Sequence, residues 1–185
     1  MGTPKSSEPS LLITGLLSAF EEALAETEKT LTAAYGPIAL KSPLFDFTAT
    51  DYYETDMGKG LKRLFLAFEK PIDPAAIADI KLATNKMEAR IAESGRWPAA
   101  RPVNVDSGYL TLSKLVLATT KDYSHRLYLG KGIYAESTLH YEKGKWQPWP
   151  WTYRDYRENA GYYEFFEKAR ETILTSLRKS YTIQE

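Results

Sequence analysis

Residues Asp106–Tyr141 read DSGYLTLSKLVLATTKDYSHRLYLGKGIYAESTLHY and contain both histidines of the protein, His125 and His140. The glycine pair around Lys131 predicts a β-hairpin with a turn at 130–132. Lys143 and Gly144 predict a second tight turn, so we expect a three-stranded antiparallel meander in this region.

The predicted hairpin register gives each strand a polar and an apolar face. Arg126 should lie opposite Glu136, and Tyr128 opposite Tyr134, on one side of the sheet. The other side should join the core through Leu127, Leu129, Ile133 and Ala135. A cross-strand ion pair at the surface is one reading of the polar face, and a ligand site is the other.

The ligand-site reading adds residues from the segment before the hairpin and from elsewhere. Imidazole and carboxylate groups can move protons, which makes His125 and Asp122 the acid–base candidates. Positive charge for an anion would come from Arg126, Lys121 and Lys114. Further candidate ligand-binding residues are Tyr53, Tyr128, Tyr134, Glu136 and Asn85.

The first half of the chain alternates strand and helix patterns. The apolar run 11–17 predicts a strand, and Ser18 with Glu21 has the spacing of a capping box for a helix that stops at Gly36. Residues 38–40 and 45–47 predict short extended pieces, 63–68 predicts the next strand, and 103–105 predicts another short strand. Asp73 before Pro74 predicts the start of a second helix that ends near Gly95.

Two stretches of this half leave a choice open. Lys81, Asn85 and Glu88 share one face of the second helix, which is either solvated or used for hydrogen bonding; the solvated face is preferred. The segment 110–119 combines helical spacing with β-branched residues, and we expect a short helix there.

The order strand, helix, strand, strand, helix, strand predicts an α+β protein with a ferredoxin-like βαββαβ core. The antiparallel β-meander and a long C-terminal helix, from about Arg157 to Lys179, would be added to it. Residues 1–10 are expected to be a flexible leader, and 11–185 one α+β domain.

Composition narrows the function classes. The chain of 185 residues carries 24 basic and 24 acidic side chains, and this zero net charge disfavours nucleic-acid binding. It has no cysteine, which excludes thiolate chemistry and Cys-ligated zinc. No apolar run has the roughly 20 residues of a membrane span, so we expect no membrane partner and a cytoplasmic location.

An acidic segment offers a candidate metal site. Asp46, Asp51 and Glu54 lie close together in the sequence, and Asp106 could join them. Hard divalent cations such as Mg²⁺ take oxygen ligands of this kind, although the spacing matches no EF-hand. The alternative is that these are solvated turn acids.

Two other segments have residues that bear on ligand binding. Residues 57–60 place glycines beside a lysine but lack the Walker A spacing, which excludes a P-loop nucleotidase. Residues 146–157, WQPWPWTYRDYR, are expected to wedge the C-terminal helix onto the sheet, or alternatively to stack a sugar or base.

Several strings together resemble an uncharacterised bacterial family that is known as a domain of unknown function, some members of which are labelled GTP-binding protein. The strings are FDFTATDYYETDMG (45–58), IKLATNKME (80–88), VNVDSGYL (103–110), KLVLATTKDYSHRLYLGKGIYAE (114–136) and WTYRDYR (151–157). The resemblance implies no established activity. The GTP-binding label has no support in the residues, because both the phosphate loop and an N-K-x-D motif are missing.

The leading hypothesis is a small-molecule binding domain with a polar pocket for an anionic or phosphorylated ligand, with or without catalysis. Convergence of the acidic segment, Asp106 and the segment 121–136 in one concave site would favour it. The alternative is a non-catalytic protein-interaction module that uses the hairpin and the Trp-rich segment.

Overall fold

The computed structural model describes residues 2–5, 7 and 10–182, and of 176–182 the backbone only. Its centre is a nine-stranded antiparallel sheet in which seven strands follow the order β2-β4-β1-β5-β6-β8-β7, while β3 pairs with β4 and β9 with β8. The strands are β1 Ser10–Ser18, β2 Ile38–Lys41, β3 Phe45–Asp46, β4 Lys62–Ile72, β5 Asn104–Leu110, β6 Lys114–Thr119, β7 Leu127–Gly130, β8 Ile133–Glu142 and β9 Lys145–Pro148.

Helices cover both faces of this sheet. They are α1 Glu21–Tyr35, α2 Glu54–Met57, α3 Ile77–Glu93, α4 Arg154–Glu158 and the long C-terminal α5 Ala160–Thr182. One core cluster packs α1 and α3 against β1 and β4, through residues such as Leu24, Ile80 and Leu66. The other core cluster lies on the opposite face, where Phe166 of α5 packs with Phe65. The α+β class is therefore a three-layer arrangement of helices, sheet and helices.

The ends of α1 and α3 show which capping signals act. The predicted capping box is wrong: α1 begins at Glu21, and Ser18 ends β1, where its hydroxyl donates to the carbonyl of Pro102 at 2.6 Å and accepts from the amide of Phe20 at 2.9 Å. The start at Asp73 is confirmed, since its side chain accepts from the amide of Ala75 in a 3-10 turn that leads into α3.

The predicted short helix at 110–119 is also wrong. Residues Lys114–Thr119 form β6, which pairs with β5 on one side and β8 on the other. Leu115 and Leu117 belong to the cluster under α5, whereas Ala118 belongs to the cluster under α3. A strand that is buried on both faces reads as a continuous apolar run, which periodicity alone does not distinguish from a helix.

The hairpin and the meander are confirmed, with Tyr128 opposite Tyr134 and a second turn into β9. The apolar face is only half as predicted: Ile133 and Ala135 are buried, but Leu127 is 74% and Leu129 43% exposed. Both leucines lie on β7, the terminal strand of the sheet.

The first strand and the C-terminal helix begin at residues other than those predicted. The C-terminal helix starts at Ala160, a few residues later than predicted, because the separate turn α4 precedes it. Ser10 belongs to β1 rather than to the predicted leader, of which Met1, Ser6, Glu8 and Pro9 lie outside the described residues. None of the described helices combines the length and apolar character needed to cross a bilayer.

Candidate functional site

A cavity of about 520 Å³ opens where strands β5 and β6 separate. Their last paired residues are Gly108 and Leu117, and β6 then continues beside β8 alone. A Cβ atom on Gly108 would lie 2.2 Å from the carbonyl oxygen of Val116, so glycine allows the two backbones to approach closely just before they diverge. The cavity is lined by β4, β5, β6 and β8, by α3 and by the segment that contains α4.

Side chains of α3 occupy the edge of β5 that β6 leaves open. The amide of Val105 donates to Oε1 of Glu88 at 2.9 Å, and its carbonyl accepts from Nζ of Lys81 at 2.6 Å. The preferred solvated face of Lys81, Asn85 and Glu88 is therefore wrong. Lys81 is buried, and Glu88 and Lys81 together replace the missing strand for Val105.

A buried arginine on β4 joins two carboxylates that line the cavity. Nη1 of Arg63 is 2.7 Å from Oδ2 of Asp106, and Nη2 is 3.3 Å from Oδ2 of Asp155. The Arg63 side chain is only 5% exposed, and the rings of Phe47 and Phe65 lie 5.4 and 5.9 Å from its guanidinium carbon. A charge held this deeply needs both partners to offset its loss of hydration.

The two carboxylates differ in the direction of their pKa shifts. Burial disfavours the ionised form of Asp106, but Arg63 and then Lys81 outweigh burial and lower the pKa of Asp106. Burial raises the pKa of Asp155 and Asp106 raises it further, against the lowering effect of Arg63. Asp106 is therefore the acceptor that stays ionised, whereas Asp155 holds its proton more strongly than an ordinary aspartate.

Two polar atoms beside this pair have no hydrogen-bond partner in the described part of the chain. They are Nε of Arg63 and the hydroxyl of Tyr156, and both are buried. Gly15 of β1 leaves space for these two side chains, because a Cβ at this position would lie 3.2 Å from the Tyr156 hydroxyl and 3.3 Å from Nη1 of Arg63. Unpartnered buried donors at a cavity wall are candidates for contact with a ligand or ordered water.

The predicted pairing of Arg126 with Glu136 is present but buried. Nε of Arg126 is 2.7 Å from Oε2 of Glu136, and the two side chains are 7% and 1% exposed. The interpretation of this pair as a surface ion pair is therefore wrong. The guanidinium also donates to the carbonyl of Lys121 at 2.9 Å and to the hydroxyl of Tyr153 at 2.5 Å. Each of its three nitrogens already has an acceptor, so Arg126 ties β8, the segment before β7 and the N-terminal end of α4 together.

Three other cations of the cavity keep unused donors. Arg154 is 69% exposed and makes an ion pair with Glu158 through Nε. Lys121 is exposed and makes no ion pair with the residues that the structure describes. Arg101 uses Nη2 for Glu88, at 2.9 Å, and for Asn104, and its side chain is 41% exposed. Because none of the three has all its donors engaged, each can bind an additional acceptor.

The cavity thus collects several of the predicted site residues from distant parts of the chain. Those that line it are Tyr53, Asn85, Asp106, Lys121, Asp122, Arg126 and Glu136. His125 is held at the side, where Nε2 is 3.1 Å from Oε2 of Glu136 and the ring stacks on Trp151. Lys114, Tyr128 and Tyr134 do not line the cavity: Lys114 pairs with His140 in the β6–β8 ladder, and the two tyrosine rings pack on each other at 5.1 Å.

The predicted metal ligands are dispersed. Asp46 makes an ion pair with Lys62, Asp106 pairs with Arg63, and neither Asp51 nor Glu54 lines the cavity. Within the described residues no three His, Cys, Asp or Glu side chains are grouped so that they could hold a metal ion.

The Trp-rich segment follows the predicted wedge in part. Trp146 and Tyr156 pack on Phe166 of α5, whereas Trp149 and Trp151 stack on each other, 5.2 Å apart. His140 and His125 continue this ring stack at its two ends. Both indoles donate hydrogen bonds to Ser137 of β8, so the segment is fixed on the meander.

Sequence reasoning missed Arg63, Arg101, Asp155 and Tyr156. The burial of Arg63 could have been predicted from strand alternation. Arg63 lies two residues before Phe65 and four before Ala67, so it shares the face of β4 that these residues bury under α5. The other three lie in loops or at a short turn, where no periodicity indicates which side chain faces the interior.

A sequence-family model described as a domain of unknown function (DUF4416) matches residues 8–173, and the chain belongs to this family. The match confirms the expected domain of unknown function and carries no information on GTP binding or a bacterial source. No curated protein and no solved structure matches the chain. The function therefore has to be argued from the site itself.

Proposed function

We propose that the protein binds a small anionic ligand in the cavity between β5 and β6. The observation that carries the proposal is the set of charges on the cavity wall, where six cationic side chains meet four carboxylates. A cavity of about 520 Å³ also falls within the range of roughly 300–1,000 Å³ that is usual for small-ligand sites.

The direct contacts are assigned to Lys121 and Arg101. Arg63, Lys81 and Arg126 have acceptors inside the protein, so a ligand would have to displace a buried partner to reach them. Lys121 and Arg101 can donate without such a loss. Arg126 is then a positioning residue that fixes the backbone around Lys121.

Neutral and acidic groups of the wall complete the proposed site. Tyr53 and Asn85 line the cavity and can donate to, or accept from, uncharged parts of a ligand. The residue assigned to proton transfer is Asp122 rather than His125, because Asp122 lines the cavity and His125 does not. The proposed site needs no divalent cation.

We also infer a ferredoxin-like arrangement for residues 10–110. Its support is the antiparallel strand order β2-β4-β1-β5, with α1 and α3 packed on the same face. The cavity then lies where this unit meets the strand β6 that extends it.

Calorimetric titration with inorganic phosphate tests the proposed binding. We expect Lys121→Met and Arg101→Met each to weaken phosphate binding by about tenfold or more, since each removes a charge-assisted hydrogen bond. Lys59→Met is the matched control, because Lys59 is exposed and outside the cavity. Equal binding by all four proteins, or no binding by the wild type, would refute the proposal.

A second candidate function is favoured by different residues. Leu127, Tyr128 and Leu129 are exposed on the terminal strand β7, as an interaction surface for a protein partner requires. The double variant Leu127→Ser, Leu129→Ser separates the two functions, since it should leave phosphate binding unchanged. A loss of phosphate binding in that variant would show that the hairpin and the cavity are not independent.

A further inference from the structure

The cavity wall changes in chemistry with depth. Its more exposed part carries Lys121 and Arg101, two cations with unused donors. Its more buried part carries Asp106, Asp155 and Tyr156. A ligand that is anionic throughout would suit the first part and would be repelled by the carboxylates of the second.

The buried part has hydrogen-bonding capacity of both kinds. Asp106 engages Arg63 through one oxygen, remains 31% exposed and is a pure acceptor when ionised. The Tyr156 hydroxyl and Nε of Arg63 are donors without partners in the described part of the chain. Hydroxyl groups match such a wall because each can donate to a carboxylate and accept from a phenol.

Aromatic rings supply the remaining wall. Phe47, Tyr53, Tyr123 and Tyr153 all line the cavity. Their faces offer apolar surface to C–H groups while leaving polar substituents free to reach the wall between them. This combination suits a carbon chain or ring that carries hydroxyls, and it does not suit a fully apolar tail.

We infer that the ligand is a phosphate ester of a polyhydroxylated carbon skeleton, of which sugar phosphates are the common class. Its phosphate would contact Lys121 and Arg101, and its hydroxyls would contact Asp106 and Tyr156. This inference rests on the proposed function, since it uses the same cations for the anionic group.

The test compares three kinds of probe by calorimetry: inorganic phosphate, hexyl phosphate and a panel of hexose and pentose phosphates. Hexyl phosphate has the anionic group and the carbon chain of a hexose phosphate but no hydroxyls. We expect at least one sugar phosphate to bind about tenfold or more tightly than hexyl phosphate, because a polar site rejects an analogue that leaves its groups unpaired.

Tyr156→Phe is the decisive variant. Because the Tyr156 hydroxyl has no partner in the described structure, its removal costs no internal hydrogen bond and the fold should be retained. The variant should lose most of the preference for sugar phosphate over hexyl phosphate while binding inorganic phosphate as the wild type does. Tyr163→Phe is the control, since that hydroxyl donates to the carbonyl of Arg157 outside the cavity.

Asp106→Asn is a second test variant and should also reduce the preference for sugar phosphate over hexyl phosphate. If hexyl phosphate binds as tightly as every sugar phosphate, or if neither variant changes the ratio, the hydroxyl assignment is wrong while anion binding stands. If no phosphate compound binds, or if Lys121→Met and Arg101→Met both bind them all as the wild type does, the proposed function itself is wrong.

Discussion

The two halves of β5 show how the same strand can serve the core and a site. Residues 108–110 pair with β6 and lie within the continuous sheet, whereas in the described structure residues 104–107 pair only with β1. We call residues 108–110 the paired half of β5 and residues 104–107 the open half. In the open half, Glu88 and Lys81 of α3 make the hydrogen bonds to Val105 that a neighbouring strand would otherwise make. The cavity therefore opens beside Val105 without leaving its amide and carbonyl unpaired, because side chains replace the missing strand there.

The largest expected effect comes from the paired half. In Gly108→Val the added Cβ would meet the carbonyl oxygen of Val116 at 2.2 Å, which forces β5 and β6 apart. We expect a loss of about 3 kcal/mol or more in the free energy of unfolding, measured by urea denaturation. Gly2→Ala is the control, since its Cβ would meet nothing within 4 Å. A stability equal to the wild type would mean that the close approach does not hold the strands together.

Glu88→Ala removes a side chain that hydrogen-bonds to the open half. It leaves the Val105 amide without an acceptor and removes an acidic partner of Arg101 and Lys81. We expect a loss of about 2–3 kcal/mol in urea denaturation, and a smaller loss for Glu88→Gln, whose amide oxygen can still accept. Equal losses for the two variants would show that the charge matters and the backbone contact does not.

Lys81→Met is a milder change on the same edge. Methionine keeps most of the buried aliphatic stem but cannot donate to the Val105 carbonyl. We expect a loss of about 1–2 kcal/mol in the free energy of unfolding. Lys86→Met, on the same helix but outside the cavity, should change stability by less than about 0.5 kcal/mol. A Lys81→Met protein as stable as the control would contradict the assigned role.

The two carboxylates on Arg63 should differ in pH dependence. The pKa of Asp155 is raised, so its contribution to stability falls as the pH rises through that folded-state pKa; Asp155→Asn should therefore gain relative to the wild type as the pH rises above the unfolded pKa of about 3.9. The pKa of Asp106 is lowered, so its contribution is present above the unfolded pKa of about 3.9 and is lost as the pH falls through the folded-state pKa. Asp106→Asn should therefore lose relative to the wild type as the pH rises from the folded-state pKa of Asp106 towards that unfolded value. Unfolding curves across this range would contradict the assignment if both differences had the same sign.

Much of the open half could not be predicted from the sequence, and the reason is physical. The helix start at Asp73 and the hairpin register depend on neighbours a few residues apart, so local signals suffice for them. The separation of β5 from β6 depends on Glu88 and Lys81 reaching Val105, a contact that no local pattern specifies. The same holds for Asp155, which meets Arg63 across 92 positions of the chain.

The candidate site was predicted in part for a related reason. Asp106, Lys121 and Arg126 were identified from their chemistry, and they do line one cavity. What chemistry could not indicate is which cations are already engaged, because that depends on burial and on partners such as Tyr153. In the proposed site Arg126 is consequently a positioning residue rather than a ligand contact, and Arg101 takes its place.

The most direct test of anion binding in the cavity is an NMR titration of the ¹⁵N-labelled protein with inorganic phosphate. The account predicts that the amides of residues 119–123, together with Tyr53 and Asn85, shift in a saturable way and that these shifts disappear in Lys121→Met. Shifts confined to exposed lysines such as Lys59 and Lys143, or no saturable shift at the cavity, would contradict it.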